Sequence, residues 1–213
     1  MKIGVPSEIK NNEYRVGLTP ESVKGLKDAN HDIFIQQGAG SAIGFMDSDY
    51  LESGAQILDS AAEVFASSEL IVKVKEPMHS ELGYLNSSHT LFTYLHLAGD
   101  PKQAHALIET GVTGIAYETV TSDSGALPLL SPMSAIAGQL SIVVGSYHLL
   151  KQNKGRGTLI GSFGDVDPRV VTVIGAGVAG TEAIQKAIEN NAYVKIIDLS
   201  EKRLKALEAI YGS

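Results

Sequence analysis

The sequence predicts an α/β protein with two lobes, in which a mostly parallel open sheet of the flavodoxin or Rossmann kind is followed by an incomplete Rossmann βαβ unit. Three observations support this. Short β-rich runs alternate with helical patterns from the first residues, a Gly-x-Gly-x-x-Gly sequence opens a helix after an apolar strand near residue 175, and only one more strand and one more helix follow that helix. Alternation of this kind predicts parallel strands with helices on both faces of the sheet.

The first lobe is predicted to hold five strands joined by helical crossovers. The strands are expected at 2–5, 32–36, 70–74, 90–94 and 113–117, and the helices at 20–29, 60–66 and 101–110. Thr19 and Asp100 each stand directly before a proline. Proline is favoured at the first position of a helix and Thr or Asp at the cap before it, so two of these helices have clear starts.

Residues 121–132 contain turn formers and two prolines, and they predict a crossing between lobes. We therefore assign residues 1–132 to the first lobe, 133–153 to an interdomain segment with a long helix at about 133–151, and 154–213 to the second lobe. The second lobe is predicted to contain strands 170–174 and 194–197 and helices 178–190 and 201–211. No third strand follows within these 213 residues.

The composition limits the possible functions. With 44% hydrophobic and 19% charged residues, the chain is typical of a soluble globular protein. The net charge of −7 and the lack of a basic cluster argue against nucleic acid as a partner. The absence of cysteine excludes disulfides and thiolate chemistry and fits the cytoplasm. The start shows no export signal, and the apolar stretch 136–150 is too short and too polar to cross a membrane.

The glycine-rich sequence lies in the context that a dinucleotide-binding motif requires. Gly175, Gly177 and Gly180 come directly after the strand 170–174 and open a helix, and Asp198 ends the next strand. In such a unit Gly175 permits a tight turn, Gly177 lets the backbone approach a pyrophosphate, and Gly180 allows close helix–strand packing. The alternative is a turn that binds nothing, which we would favour for the motif without its context.

The acidic residue at the end of the second strand indicates which nucleotide is bound. The Asp198 carboxylate can accept hydrogen bonds from the adenosine ribose and would repel a 2′-phosphate, so NAD is favoured over NADP. Lys202 and Arg203 follow closely and oppose this preference by their charge. Arg203 is included among the candidate cofactor-binding residues.

Four polar residues follow predicted strands of the first lobe: Arg15, Lys75, His96 and Glu118. Ligands of open parallel sheets bind beyond the carboxyl ends of the strands, so these side chains are expected at one rim. Arg15 and Lys75 could hold a carboxylate, and His96 could transfer protons near neutral pH. Taken singly, each also fits an ordinary structural role. Glu118 is expected to support the neighbouring site residues without contacting the ligand itself. The histidines show no metal-ligand spacing, and no metal is predicted.

The residues at these positions resemble the alanine dehydrogenase family over essentially the whole chain. The segments that carry the resemblance, besides the Gly175 motif, are MKIGVPSEIK at 1–10, EYRVGLTP at 13–20, VKEP at 74–77, FTYLHLA at 92–98, AYET at 116–119 and PMSAIAG at 132–138. One departure is GSFGDV at 161–166, where the family usually has a Gly-Gly-Val-Pro-Gly-Val type of sequence. The family also continues well beyond residue 213, with further strands and a catalytic aspartate.

The resemblance implies a role for each candidate. Arg15 and Lys75 would grip the substrate carboxylate, and His96 would bond the keto oxygen and act as acid and base. Ser134 would contact the cofactor, Val178 and Ala179 would meet its pyrophosphate through their backbone N–H groups, and Asp198 would bind the adenosine ribose.

The resemblance also implies a reaction and an assembly. Family members convert L-alanine, NAD and water to pyruvate, ammonium and NADH, usually as homohexamers. Two alternatives stay open: the NAD-binding part of a proton-translocating transhydrogenase, which passes hydride to another nucleotide, and a shortened, non-catalytic NAD-binding remnant. Because the rest of the nucleotide lobe is missing, little activity is expected of the 213 residues alone.

Overall fold

The computed structural model describes residues 1–212, which form two compact units. The first runs from Met1 to Val120 and the second begins at Thr121. The boundary proposed from the sequence, residue 132, falls inside the second unit. The helix proposed to lie between the lobes, Ser131–Leu149 (α5), packs against Val178–Glu189 (α6) of that unit.

The first unit contains a six-stranded parallel sheet. Its strands are Lys2–Val5 (β1), Asp32–Gln36 (β2), Gln56–Leu58 (β3), Leu70–Val72 (β4), Thr90–Thr93 (β5) and Thr113–Ala116 (β6). Their order across the sheet is β3-β2-β1-β4-β5-β6, which is the Rossmann order and not the flavodoxin order. The predicted parallel sheet is therefore confirmed, and the short edge strand β3 was not predicted.

Helices connect the strands, as the alternating pattern indicates. They are Pro20–Asp28 (α1), Asp47–Glu52 (α2), Ala61–Ser67 (α3) and Pro101–Thr110 (α4). Both predicted caps are present. Thr19 Oγ1 accepts a hydrogen bond from Ser22 N–H at 3.2 Å, and an Asp100 carboxylate oxygen accepts two at 3.1 Å from the first turn of α4.

Apolar clusters cover both faces of this sheet. The adjacent β4 residues Ile71 and Val72 point to opposite faces, as successive strand residues do. Ile71 belongs to a cluster with Phe65 of α3 and Leu107 of α4. Val72 belongs to a second cluster with Val23 of α1. The sheet is thereby buried between helices, which leaves the ends of its strands as the accessible parts.

The second unit is built on two parallel strands. These are Val170–Ile174 (β7) and Tyr193–Ile197 (β8), and Glu201–Tyr211 (α7) follows them. The helix α5 crosses α6 very closely, since a Cβ atom on Gly138 would overlap the carbonyl of Ala179. Within residues 1–212, the other edge of β7 carries no partner strand. In the same residues, no helix combines the length and apolarity needed to span a membrane.

Candidate functional site

The four polar residues predicted to share a rim follow four adjacent strands. Arg15 lies in the segment after β1, Lys75 comes soon after β4, His96 after β5 and Glu118 after β6, and the sheet order β1-β4-β5-β6 makes these strands neighbours. All the strands are parallel, so their carboxyl ends lie at the same edge. The sheet thus brings together the cations, the imidazole and the carboxylate that the sequence separates widely.

Arg15 is oriented by a neighbouring carboxylate. Its Nε and Nη2 atoms donate to the two carboxylate oxygens of Glu13 at 2.8 and 2.6 Å, and the Glu13 side chain is nearly buried. The hydrogen bonds from Arg15 are the largest cause of the lowered pKa of Glu13, and the charge of Lys75 contributes. This bidentate pair fixes the guanidinium in one plane. Glu13 is a site residue that the sequence analysis did not single out.

Tyr94 stacks on His96 and interacts electrostatically with Arg15. Its ring is buried and stacks on the His96 imidazole, with centroids 6.0 Å apart and 21° between the planes. Burial raises the pKa of Tyr94 and the charge of Arg15 opposes that rise, so the phenol and the guanidinium interact. Tyr117 packs edge-on against Tyr94 at 4.9 Å. A tyrosine at the end of a buried strand reads as a core residue in a sequence, which is why Tyr94 was missed.

His96 has an unusual backbone conformation that Glu118 supports. It lies in the left-handed region at φ 51° and ψ 29°, and its side chain is exposed. The Glu118 carboxylate accepts hydrogen bonds from His96 N–H at 2.7 Å and from Leu95 N–H at 3.2 Å. Burial disfavours the ionised carboxylate, but hydrogen bonds from the backbone N–H groups of Glu118 itself, His96 and Leu95 outweigh it, and the pKa of Glu118 is lowered. The Glu118 side chain therefore binds the backbone of the segment that carries His96, and these bonds do not involve the imidazole.

The glycine-rich loop of the second unit has the geometry that the motif predicts. Gly175 has φ +92°, a conformation that side chains disfavour, and a Cβ atom on Gly180 would overlap the Gly175 carbonyl. Apart from the adjoining backbone, no heavy atom lies within 4 Å of the Cβ position of Gly177. Gly177 caps α6, whose first N–H groups have no partner within the helix. Beside Gly177 there is therefore open space in front of a helix N-terminus, which suits an anion.

Asp198 is tied to this loop. One carboxylate oxygen accepts a hydrogen bond from Ala176 N–H at 2.6 Å, and the other accepts one from Ser200 N–H at 2.8 Å. The bond from Ser200 is the largest cause of the lowered pKa of Asp198, and the bond from Ala176 follows. The carboxylate thus stays ionised at the end of β8, next to the loop.

Arg203 holds the same loop from α7. Its Nε donates to the Ala176 carbonyl at 2.9 Å, and its Nη2 donates to Thr181 Oγ1 at 2.6 Å. Thr181 in turn donates to the Gly177 carbonyl at 2.7 Å. Together, Asp198 and Arg203 bind the N–H and the C=O of Ala176. The contacts of Arg203 are thus to the loop itself, and Thr181 is a loop-holding residue that the sequence analysis missed.

Ser134 and the unusual 161–166 segment lie in different parts of the second unit. Ser134 is one helical turn before Gly138 on the same face of α5, the face that meets α6. Gly161 packs against the carbonyl of Asn190, at the carboxyl end of α6. The glycine-rich loop is at the other end of that helix, about 18 Å away. The departure from the family pattern is therefore remote from the loop.

The second unit also contains a cavity of about 810 Å³ that is separate from the glycine-rich loop. It runs along β7, all of whose residues line it, and its other walls come from α5, from Ala183 of α6 and from residues near Thr158. None of the predicted cofactor-binding residues lines this cavity. Within residues 1–212, His, Asp and Glu side chains form no cluster that could hold a metal ion.

Comparison with known proteins gives similarities over the whole chain. Residues 4–137 match the family model described as alanine dehydrogenase/PNT, N-terminal domain, and residues 141–213 match that of the C-terminal domain. The chain is 46% identical over 213 residues to an alanine dehydrogenase of Methanococcus maripaludis, and 47% identical over 212 residues to alanine dehydrogenase 2 of Staphylococcus aureus. In both comparisons the similar region includes 100% of this chain and 57% of the relative.

Solved structures give the same picture. An L-alanine dehydrogenase structure superimposes with a TM-score of 0.91 at 47% identity, covering 100% of this chain and 59% of the other. A transhydrogenase from Sinorhizobium meliloti superimposes with a TM-score of 0.82 at 24% identity, covering 99% of this chain and 60% of the other. The second likeness concerns the fold alone. The chain spans little more than half the length of these proteins.

Proposed function

The chain belongs to the alanine dehydrogenase/PNT family, and from this we propose that it is the amino-terminal part of an NAD-dependent alanine dehydrogenase. The proposed reaction converts L-alanine, NAD and water to pyruvate, ammonium and NADH. One observation carries the proposal: Arg15, Lys75 and His96 follow adjacent strand ends of one sheet. Two cations and an imidazole at one rim match a small amino or oxo acid.

We assign the substrate carboxylate to the two cations. Arg15 can offer N–H groups to a carboxylate in one plane because Glu13 fixes that plane through two hydrogen bonds. Lys75 adds a compact charge, which strengthens binding without demanding one geometry. Glu13 neutralises part of the positive charge, and the carboxylate of the substrate balances the remainder. Holding the acid this way orients its α-carbon, and orientation is a large part of such catalysis.

His96 is the proposed proton-transfer group. An imidazole can act both as a general base and as a general acid, which this reaction requires. It would hydrogen-bond the oxygen at the α-carbon in pyruvate and take a proton from the water that attacks the iminium of alanine. Tyr94 stacks on one face of the ring, and Glu118 fixes its backbone. The imidazole is thereby presented from a constrained position.

The second unit suits the adenosine and pyrophosphate side of NAD. We assign the pyrophosphate to the space beside Gly177, facing the N–H groups of Val178 and Ala179, and the ribose to Asp198. The open space at Gly177 and the ionised Asp198 support this assignment. When bound, NAD would accept the hydride from the alanine α-carbon. Ser134, on the face of α5 that meets α6, is proposed as a further cofactor contact.

The 213 residues are proposed to have little activity alone. A Rossmann site lies where the strand order reverses, so its nicotinamide side needs more strands than β7 and β8. A family-length version is therefore the protein to assay, and a homohexamer in the cytoplasm is proposed for it by family resemblance. Analytical ultracentrifugation of that version tests the assembly.

The function is tested by NADH formation with the family-length protein. We expect L-alanine to support NADH formation at neutral to basic pH, with D-alanine inactive as the matched control for nonspecific reduction. The 213-residue chain should be slower by at least roughly 100-fold, since it lacks both the walls that position the nicotinamide and the catalytic aspartate that the resemblance implies beyond residue 213. Absence of L-alanine oxidation in the longer protein, or equal rates for both lengths, would contradict the proposal.

A further inference from the structure

A buried lysine near the rim faces two carboxylates. The Lys73 side chain has 0% exposure, and its Nζ lies 2.9 Å from Glu81 Oε1 and 3.4 Å from Glu8 Oε2. Both glutamate side chains are only 3% exposed. A buried ammonium requires a counter-charge, and a single carboxylate is sufficient to provide it. The second carboxylate leaves the cluster with a net negative charge, so neutralisation of Lys73 does not explain both.

Glu8 makes contacts that Glu81 does not make. Its Oε1 atom accepts a hydrogen bond from Val74 N–H at 2.6 Å and a longer one from Lys75 N–H at 3.4 Å. These amides lie beyond the end of β4, where β1 no longer continues beside the chain. The carboxylate therefore replaces the carbonyl acceptors that a longer neighbouring strand would supply. Glu81 instead accepts from Met78 N–H at 2.8 Å.

Val74 and Lys75 also accept hydrogen bonds on the opposite side, from the end of β5 and the residue after it. Tyr94 N–H donates to the Val74 carbonyl at 3.3 Å, and Thr93 Oγ1 donates to the Lys75 carbonyl at 2.8 Å. The backbone of Lys75 thus lies between Glu8 on one side and Thr93 on the other. Its Cα position is fixed by these bonds, whereas its long side chain is not.

We propose that Glu8 is a positioning residue, which fixes the backbone of Lys75 and thereby determines where the Lys75 ammonium meets the substrate carboxylate. This rests on the proposed function of Lys75. Lys73 has a different role, which is to favour the ionised form of Glu8. Burial raises the pKa of Glu8, and the charge of Lys73 counteracts that rise. A neutral carboxylic acid would be a weaker acceptor for the two amides.

The test compares Glu8→Ala with Glu81→Ala in the family-length protein. Each variant removes one buried carboxylate from Lys73, so each should lower the denaturation midpoint. Only Glu8→Ala should raise KM for L-alanine, by roughly ten- to a hundred-fold, because displacement of a substrate-binding group by about 1 Å has effects of that size. The Kd for NADH should stay unchanged in both variants. Glu8→Gln keeps one acceptor oxygen and should lie between Glu8→Ala and the wild type.

A second readout separates this proposal from the proposed function. Amide hydrogen exchange in the 213-residue chain should become faster at Val74 and Lys75 in Glu8→Ala, which removes their shared acceptor oxygen, and stay unchanged there in Glu81→Ala. Equal KM increases in Glu8→Ala and Glu81→Ala, or unchanged exchange in Glu8→Ala, would overturn the positioning role. If the wild type does not oxidise L-alanine, the proposed function fails, and the exchange experiment still decides whether Glu8 fixes the Lys75 backbone.

Discussion

The carboxylate of Glu118 accepts a hydrogen bond of 2.7 Å from the backbone N–H of His96. Since His96 has φ 51°, a conformation that costs about 1 kcal/mol or more for a residue with a Cβ atom, this bond stabilises a strained residue. The relationship connects two neighbouring strand ends, because His96 follows β5 and Glu118 follows β6. It explains how an exposed imidazole is held in one place at the rim.

Glu118→Gln should therefore destabilise the first unit in a pH-dependent way. The folded pKa of Glu118 is lowered, so the carboxylate contributes stability above its ordinary pKa of about 4.3, and this contribution is lost as the pH falls through the folded pKa. Urea denaturation should show a loss of about 1 kcal/mol at pH 7 that shrinks at about pH 4. A difference between wild type and variant that stays constant with pH would contradict the role of the charge.

His96→Ala should abolish turnover in a family-length protein far more than it weakens NADH binding, because His96 is assigned to the substrate and not to the nucleotide. His96→Gly is the matched control, since it also removes the imidazole but accepts φ 51° without strain. Both variants should lose activity equally, while the glycine variant should be about 1 kcal/mol more stable than the alanine variant. Comparable losses of turnover and NADH affinity in His96→Ala would be evidence against the assignment.

Asp198 is predicted to set the preference for NAD. Asp198→Ser should relax the NAD-to-NADP preference, because the ribose bonds and the repulsion of a 2′-phosphate disappear together. The structure adds a second effect, since the Ala176 N–H loses its acceptor and the loop should bind both nucleotides less tightly. Asp198→Asn separates the two effects because it keeps an acceptor oxygen while removing the charge. An unchanged preference in both variants, measured by kcat/KM for each nucleotide, would refute the prediction.

Arg203 and Thr181 should act on nucleotide affinity through the loop. Arg203→Met removes the donors to the Ala176 carbonyl and to Thr181, and Thr181→Val removes the hydroxyl that links Arg203 to the Gly177 carbonyl. Each should weaken NADH binding about fivefold or more, corresponding to about 1 kcal/mol for a lost hydrogen bond. Fluorescence titration measures this, and the KM for L-alanine at saturating NAD should not change. Loss of affinity in Arg203→Met with none in Thr181→Val would indicate a direct Arg203–nucleotide contact instead.

Sequence patterns predicted the parts of the fold that depend on local chemistry. The parallel strands and the capped starts of α1 and α4 follow from apolar runs and from Thr19 and Asp100, and all are present. The edge strand β3 was missed because it is only three residues long, shorter than the runs that a sequence pattern identifies, and its pairing with β2 is a tertiary effect.

The candidate site was predicted where it depends on strand ends and missed where it depends on contacts. Arg15 and Lys75 are polar residues in the segments that follow β1 and β4, which a sequence reveals. Glu13 and Glu8 are significant only through what they touch: a guanidinium in the first case and backbone amides beyond β4 in the second. Partners of this kind depend on where loops pack, and no spacing rule contains that information.

The most direct test of the central claim is the reverse reaction of the family-length protein, followed as loss of NADH absorbance. If the rim of Arg15, Lys75 and His96 binds a small oxo acid for reductive amination, NADH oxidation should require both pyruvate and ammonium and should stop when either is omitted. Oxidation of NADH in the absence of pyruvate and ammonium, driven by adding a second oxidised nicotinamide nucleotide, would contradict the account and identify hydride exchange between nucleotides as the activity.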